Sequence, residues 1–378
     1  MSQEPFGDIP LFREIQKLLA SSEGPVNFEI ARQVALAIAT RGTPDPPQPS
    51  EVVAAFDAAV HASEGPLSGY TRLPLEEPVR SHCVGVGWWA TSTLEGWRWL
   101  LEHLAHRFSG ELGRLGEGAE ANPLQAALGQ VGPLLMGMQL GTLIGHLAGD
   151  SLARHDLPVP RDDDRRLFFV LPSIERTGHD YGFDPETFRK WLALHEVARH
   201  LLFSAVPWAH RYLKGLLQEV VDAIEIDISD LESRLVDLQS QGMEALQEGF
   251  GAENVLPVVP TERHRRALQR VRSFLTLFEG YATHAVRAVA PELVGDVARI
   301  EEGMARREAS SSQGRELLST TLGISVDRAM EGAGATFCAA VTRLKGPAAL
   351  NRVWEAPDNL PDTEEIRDPF AWMERHKL

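Results

Sequence analysis

The chain has 378 residues, a formal net charge of −16 and 43% hydrophobic residues. At roughly 150 residues per domain this is enough for two or three domains or one large one, and the acidic excess argues against general affinity for nucleic acid, whose phosphates need a positive surface. Cys83 and Cys338 lie too far apart for a disulfide framework or a metal-type spacing, and MSQEPFGDIPLF has no basic stretch before an apolar run, so the expected location is the cytoplasm.

Residues 25–41 predict an amphipathic helix, with Phe28, Ala31, Val34, Ala35 and Ile38 in helical period and Asn27 as N-cap. The proline-rich stretch 42–50 breaks it, and a second helix covers 51–63. Four tryptophans between 85 and 108 read as core rather than as a stacking platform for a ligand, and 109–121 reads as a mobile, glycine- and glutamate-rich segment. Gly137, Gly141, Gly145 and Gly149 recur every four residues, so one helix face lacks side chains and can meet another backbone closely. The apolar run 134–148 is shorter than the roughly 20 residues that cross a bilayer, which makes a soluble core helix the reading and a membrane partner unexpected.

LFFVLPSI (167–174), after the charged turn PRDDDRR, reads as a strand ended by Pro172. Asp184 and Pro185 then open a helix to about Phe203, and another covers 208–224. Ser229 and Glu232 form a capping-box pattern, 249–260 reads as a loop, 262–289 as one long helix or two abutting ones, 307–315 as a flexible loop, and 351–376 as a loop-rich tail. The expected fold is mainly α with a few short strands, one of them near the helix over 191–203. It divides into an N-terminal helical region, 1–150, and a region 151–378 carrying that helix, the two forming one compact unit.

WLALHEVARHLLF (191–203) carries the chemistry. Zincin-type peptidases use His-Glu-x-x-His on a helix: two histidines one turn apart bind zinc and the glutamate activates the metal-bound water. His195 and Glu196 fit the first two positions, but Arg199 stands at the second histidine and His200 follows one residue late. Residues four apart differ by about 40° around a helix and residues five apart by about 140°. His195 and His200 can therefore share a metal only through a π-bulge. Arg199 has no lone pair to give, and it lies on an apolar face with Phe188, Trp191, Leu192 and Leu202. A guanidinium there needs a carboxylate. Glu279, an isolated acid in the apolar run FLTLFEGYATHAV (274–286), is the candidate: a salt bridge with Arg199 is expected where a metal would otherwise sit. Glu196 and His200 also have the spacing of an ordinary i,i+4 pair, and nothing in the sequence places His155 and Asp156 at the site.

Asp222, Glu225 and Asp227 match no calcium loop and read as a solvated helix end. The basic run 263–272 reads as one wet helix face. There is no P-loop, dinucleotide fingerprint or GxSxG elbow.

Several stretches together resemble one family. GPVNFEIARQVA (24–35), the glycine-spaced helix, HDLPVP (155–160), LFFVLPSI, WLALHEVARHLLFSAVPW (191–208), LFEGYATHAV (277–286) and NRVWEAPDNLPDTEEIRDPFAW (351–372) are similar to the actinobacterial zincin-like candidate hydrolases, labelled zinc-dependent metalloproteases. The resemblance covers most of the chain. It implies a zincin-like helical fold, with His195 as first ligand, Glu196 as general base and Glu279 as third ligand, and with the second histidine replaced by Arg199. The expectation is a zincin-like protein impaired in zinc binding and peptidase activity, with no cofactor, that keeps its cleft for binding or scaffolding; a peptide or protein partner is open. The alternatives are an active zinc metallohydrolase with a non-standard ligand set, drawing on His200 or His284, and an interaction protein without a functional cleft.

Overall fold

A computed structural model of the chain describes residues 24–114, 123–163, 165–226, 258–259, 261–310, 313–323 and 328–378. Fifteen helices dominate these residues, with two two-stranded sheets: β1 (Ser81–Val84) runs parallel to β2 (Leu167–Val170), and β3 (Glu225–Ile226) antiparallel to β4 (Val258–Val259).

α1 (Phe28–Thr40) starts where Asn27 caps it by accepting the Ile30 N–H. Its partner is α5 (Pro123–Asp150), and the glycine face explains why: a Cβ on Gly137, Gly141 or Gly145 would press into Asn27, Ala31 or Ile38 of α1. Gly149 faces nothing within contact distance, so three of the four glycines make the close approach. No described helix is long and apolar enough to cross a membrane.

α2 (Ser50–Thr71) outlasts the helix expected over 51–63, passing through Pro66 because Leu67 and Thr71 are buried beyond it. Phe56 of α2 stacks on Phe169 of β2 and lies beneath Arg189, which sets the β1–β2 sheet one side-chain layer from the 191–203 segment. α3 (Val86–Gly96) and α4 (Arg98–Arg114) carry Trp88, Trp89 and Trp99, with Trp97 at the joint between them, and α4 makes 109–114 helix rather than mobile chain; 115–122 lies outside the described residues. Trp89 and Trp97 are core, while the Trp97 and Trp99 indole N–H groups donate to the carbonyls of Val159 and Pro160 at 3.2 Å.

β2 stops at Val170, and Pro172 opens a helix instead of a loop: α6 spans Leu171–Tyr181, with the proline in the first turn, where no N–H partner is lost. Asp184 caps α7 (Pro185–Ala205) by accepting the Thr187 N–H at 2.9 Å. α8 (Ala209–Asp222) follows, and Asp222 pairs with His103. The capping-box residues Ser229 and Glu232, Asp227 and most of the 249–260 loop lie outside the described residues.

The long segment is a single helix, α9 (Glu262–Leu293), capped by Thr261. Its basic run splits as amphipathicity demands: Arg265 and Arg266 pair outward with Glu262, while His264, Ala267 and Val271 are buried. The expected loop over 307–315 is largely helical, shared between α10 (Ala298–Ala309) and α11 (Gln313–Leu322). α12 (Arg328–Lys345) crosses α9 so tightly that a Cβ on Gly280 would overlap the backbone of Gly334, and one on Gly334 would overlap the Thr276 carbonyl. The tail, read as loop-rich, folds as α13 (Pro347–Leu350), two 3-10 turns, α14 (Thr363–Arg367) and α15 (Pro369–Arg375).

Gly280→Ala should cost about 3 kcal/mol in urea unfolding, because backbone rather than a yielding side chain fills the space. Gly149→Ala should be neutral or stabilise by about 0.5–1 kcal/mol, as expected for an uncrowded helical glycine. Equal effects of the two changes would refute the close-contact account.

Candidate functional site

α7 and α9 lie side by side, and the expected pair meets between them: Arg199 Nε donates to Glu279 Oε2 at 2.8 Å. The guanidinium also lies 3.7 Å from Glu196 Oε1, one helical turn back. The other oxygen of Glu196 accepts the His155 backbone N–H at 2.9 Å. Glu196 is 2% exposed and Glu279 8%, so one cation serves two acids in a mostly dry environment. Glu331 of α12 adds its field and is hydrogen-bonded by the Thr283 hydroxyl.

The electrostatics follow from that imbalance. Burial raises the pKa of Glu196 to about 7, with Arg199 and the His155 N–H opposing and Asp156 and Glu279 reinforcing. Burial also raises Glu279, with Arg199 holding it down. Burial alone would lower Arg199, but Glu279 and Glu196 more than offset it and the guanidinium is raised. Near neutral pH, Glu196 is the acid that takes up a proton, leaving one cation facing one anion.

His195 is buried and packs on Trp191 with ring centroids 4.1 Å apart. α7 is α-helical throughout Pro185–Ala205, so no π-bulge turns His200 toward His195. His200 lies on another face and lines a cavity with His155, their ring centroids 6.3 Å apart. Burial and Arg154 lower its pKa to about 4, so its imidazole is neutral. His284 is engaged elsewhere, 3.0 Å from the Tyr70 hydroxyl. Among the described residues, no three His, Cys, Asp or Glu side chains gather into a group that could hold a metal ion.

The LFEGYATHAV stretch now has a physical reading: Glu279 faces Arg199, Gly280 admits α12, and the Tyr281 hydroxyl donates to Asn351 at 2.6 Å. Along the chain, the profile of the zincin-like metallopeptidases matches residues 26–373. The chain belongs to that family. A crystal structure from Chloroflexus aurantiacus, described as that of a candidate hydrolase with a novel fold, is similar at 25% identity and a TM-score of 0.63, over 93% of this chain and 99% of that one. No curated protein matches.

Relative to the zincin arrangement, two things escaped the sequence. One is the 152–163 loop: His155 ties to Glu196, and Asp156 accepts the Leu152 N–H and an Arg315 N–H, each through Oδ2. The other is the charge lattice hidden in PRDDDRR, where Asp163 bridges Arg154 at 2.5 Å and Arg161 at 2.6 Å. A charged turn is all the sequence displays, because which arginines Asp163 meets is set by how the loop folds back on itself.

Two stability experiments test the site. Arg199→Met should destabilise by about 3–5 kcal/mol, since it strands two buried acids, and adding Glu279→Gln should recover much of that. A cost under about 1 kcal/mol, the value of a surface pair, would contradict it. A carboxyl whose pKa is higher folded than unfolded contributes stability that is complete below the unfolded value, 4.5, and lost as pH rises through about 7. The advantage of the wild type over Glu196→Gln should therefore shrink by on the order of 1–3 kcal/mol between about pH 5 and about pH 8; urea unfolding at both pH values reads it, and a constant difference would refute the shift.

Proposed function

We propose that this zincin-like chain has exchanged the catalytic metal for the Arg199–Glu279 ion pair, and that it acts as a binding protein on its retained cleft rather than as a zinc peptidase. The 2.8 Å contact carries this reading: the carboxylate that the family pattern assigns to zinc is taken by a guanidinium at the position of the second histidine. The donor set does not fit zinc, which needs three protein ligands with an open fourth position; here a permanently protonated side chain occupies one of them. Glu196 supports the same reading. Instead of facing an open coordination position, it faces Arg199 and holds the His155 backbone, which makes it a structural anchor for the loop that walls the adjacent cavity.

Elemental analysis of untagged protein, after zinc addition and dialysis, is the direct test. The wild type is expected to retain far less than one zinc per chain. Arg199→His, which joins His195 and Glu279 as a third ligand, is expected to retain about one. A wild type holding about one zinc per chain would overturn the reading, and an Arg199→His variant holding none would show that position 199 does not face the ligand set.

A further inference from the structure

A cavity of about 340 Å³ opens beside the ion pair, between the loop residues 154–163 and Arg165, α7, α8 and α9. Its size falls in the range of roughly 300–1,000 Å³ typical of small-molecule sites. The wall includes an apolar, aromatic part, with Leu157, Phe203 and Phe278, beside the polar His155, His200, Arg161 and Glu279, and the Phe203 and Phe278 rings lie with centroids 4.5 Å apart. The loop is held firmly in place: indoles of Trp97 and Trp99 bind its carbonyls, Asp163 cross-links Arg154 and Arg161, and Lys214 pairs with Asp162. A cavity built on such fixed walls is preorganised, so a ligand would not have to order it on binding.

The charges on its walls are answered with two exceptions. Asp162, Asp163 and Glu279 each have a cationic partner. Arg165 and Arg211 line the cavity at its exposed side, and neither has a carboxylate partner among the described residues. Among the described residues, two guanidinium groups without a carboxylate partner thus flank the aromatic part of the wall. His155 Nε2, buried, also has no hydrogen-bond partner among the described residues. Guanidinium groups offer planar paired donors suited to carboxylate or phosphate, and a neutral imidazole adds a donor or acceptor beside them.

We propose that this cavity binds a small organic anion with an apolar body, its anionic group on Arg165 and Arg211 and its body against Phe203 and Phe278. The inference deepens the reading of the cleft as a binding surface and rests on it. A cationic ligand would meet the two unanswered guanidinium groups, and a neutral one would leave them without a counter-charge.

Calorimetric titration of the full chain, with EDTA present so that no metal contributes, tests it with phenylacetate, phenyl phosphate and the neutral phenylacetamide. Saturable binding is expected for phenylacetate or phenyl phosphate, the stronger of the two identifying a carboxylate or a phosphate ester as the anionic group. Phenylacetamide is expected to bind at least about tenfold more weakly, and the Arg165→Gln/Arg211→Gln variant to lose at least about tenfold in affinity for the anion. Arg263→Gln, on the far basic run, should leave affinity unchanged. Thermal midpoints of the variants, whose substituted side chains are exposed, verify folding. Lack of saturation by either anion up to about 10 mM, equal binding of the amide, or undiminished binding by the double variant would overturn the proposal. Retained zinc would show in the metal content alone, so failure of the metal reading and failure of the anion site are separable.

Discussion

A guanidinium cannot shed its proton, so wherever the chain folds Arg199 away from water it must also deliver a carboxylate. Much of the architecture around the site serves that requirement. α7 places Arg199 one turn beyond Glu196, α9 brings Glu279 across, and α12 adds the field of Glu331. The result is overcompensated in negative charge, and burial relieves the excess by favouring a proton on Glu196. Glu196 in turn reaches the main chain of His155, so the ion pair and the loop that shapes the cavity form one connected system.

The same system sits on the scaffold of the family. A zincin needs a helix with two ligands on one face and a third group approaching from a neighbouring helix. This chain keeps that scaffold, keeps His195 and Glu196 on it, and keeps the approaching carboxylate. Between the two acids lies the guanidinium of Arg199. Packing of α7 against α2 and α9 draws on Phe188, Leu192, Leu201 and Phe278, all buried.

Helical content and the key pairing were legible because they rest on local rules. Asn27, Asp184 and Pro185 announce helix starts, and the period of Phe188, Trp191, Leu192 and Arg199 shows which way the arginine points. The isolation of Glu279 in an apolar run marks it as needing a cation. Other segments were read short or as loop. The helix over 51–63 continues through Pro66 because residues beyond it are buried, and Pro172, read as the end of the strand, also falls in the first turn of a helix. REASSSQGR has loop composition but supplies the end of one helix and the start of another. The cavity was invisible because its wall is assembled from His155, Phe203, Arg211 and Phe278, which come from separate parts of the chain.

The glycine beside Glu279 has a mechanical consequence. At Gly280 and Gly334 two helices touch main chain to main chain, and three residues after Gly280, Thr283 reaches across to Glu331. Side chains normally absorb small displacements by changing rotamer; bare backbones have no such slack. α12 therefore meets α9 at a contact without side-chain slack, one residue from the carboxylate, so a displacement of either backbone there cannot be taken up by a change of rotamer.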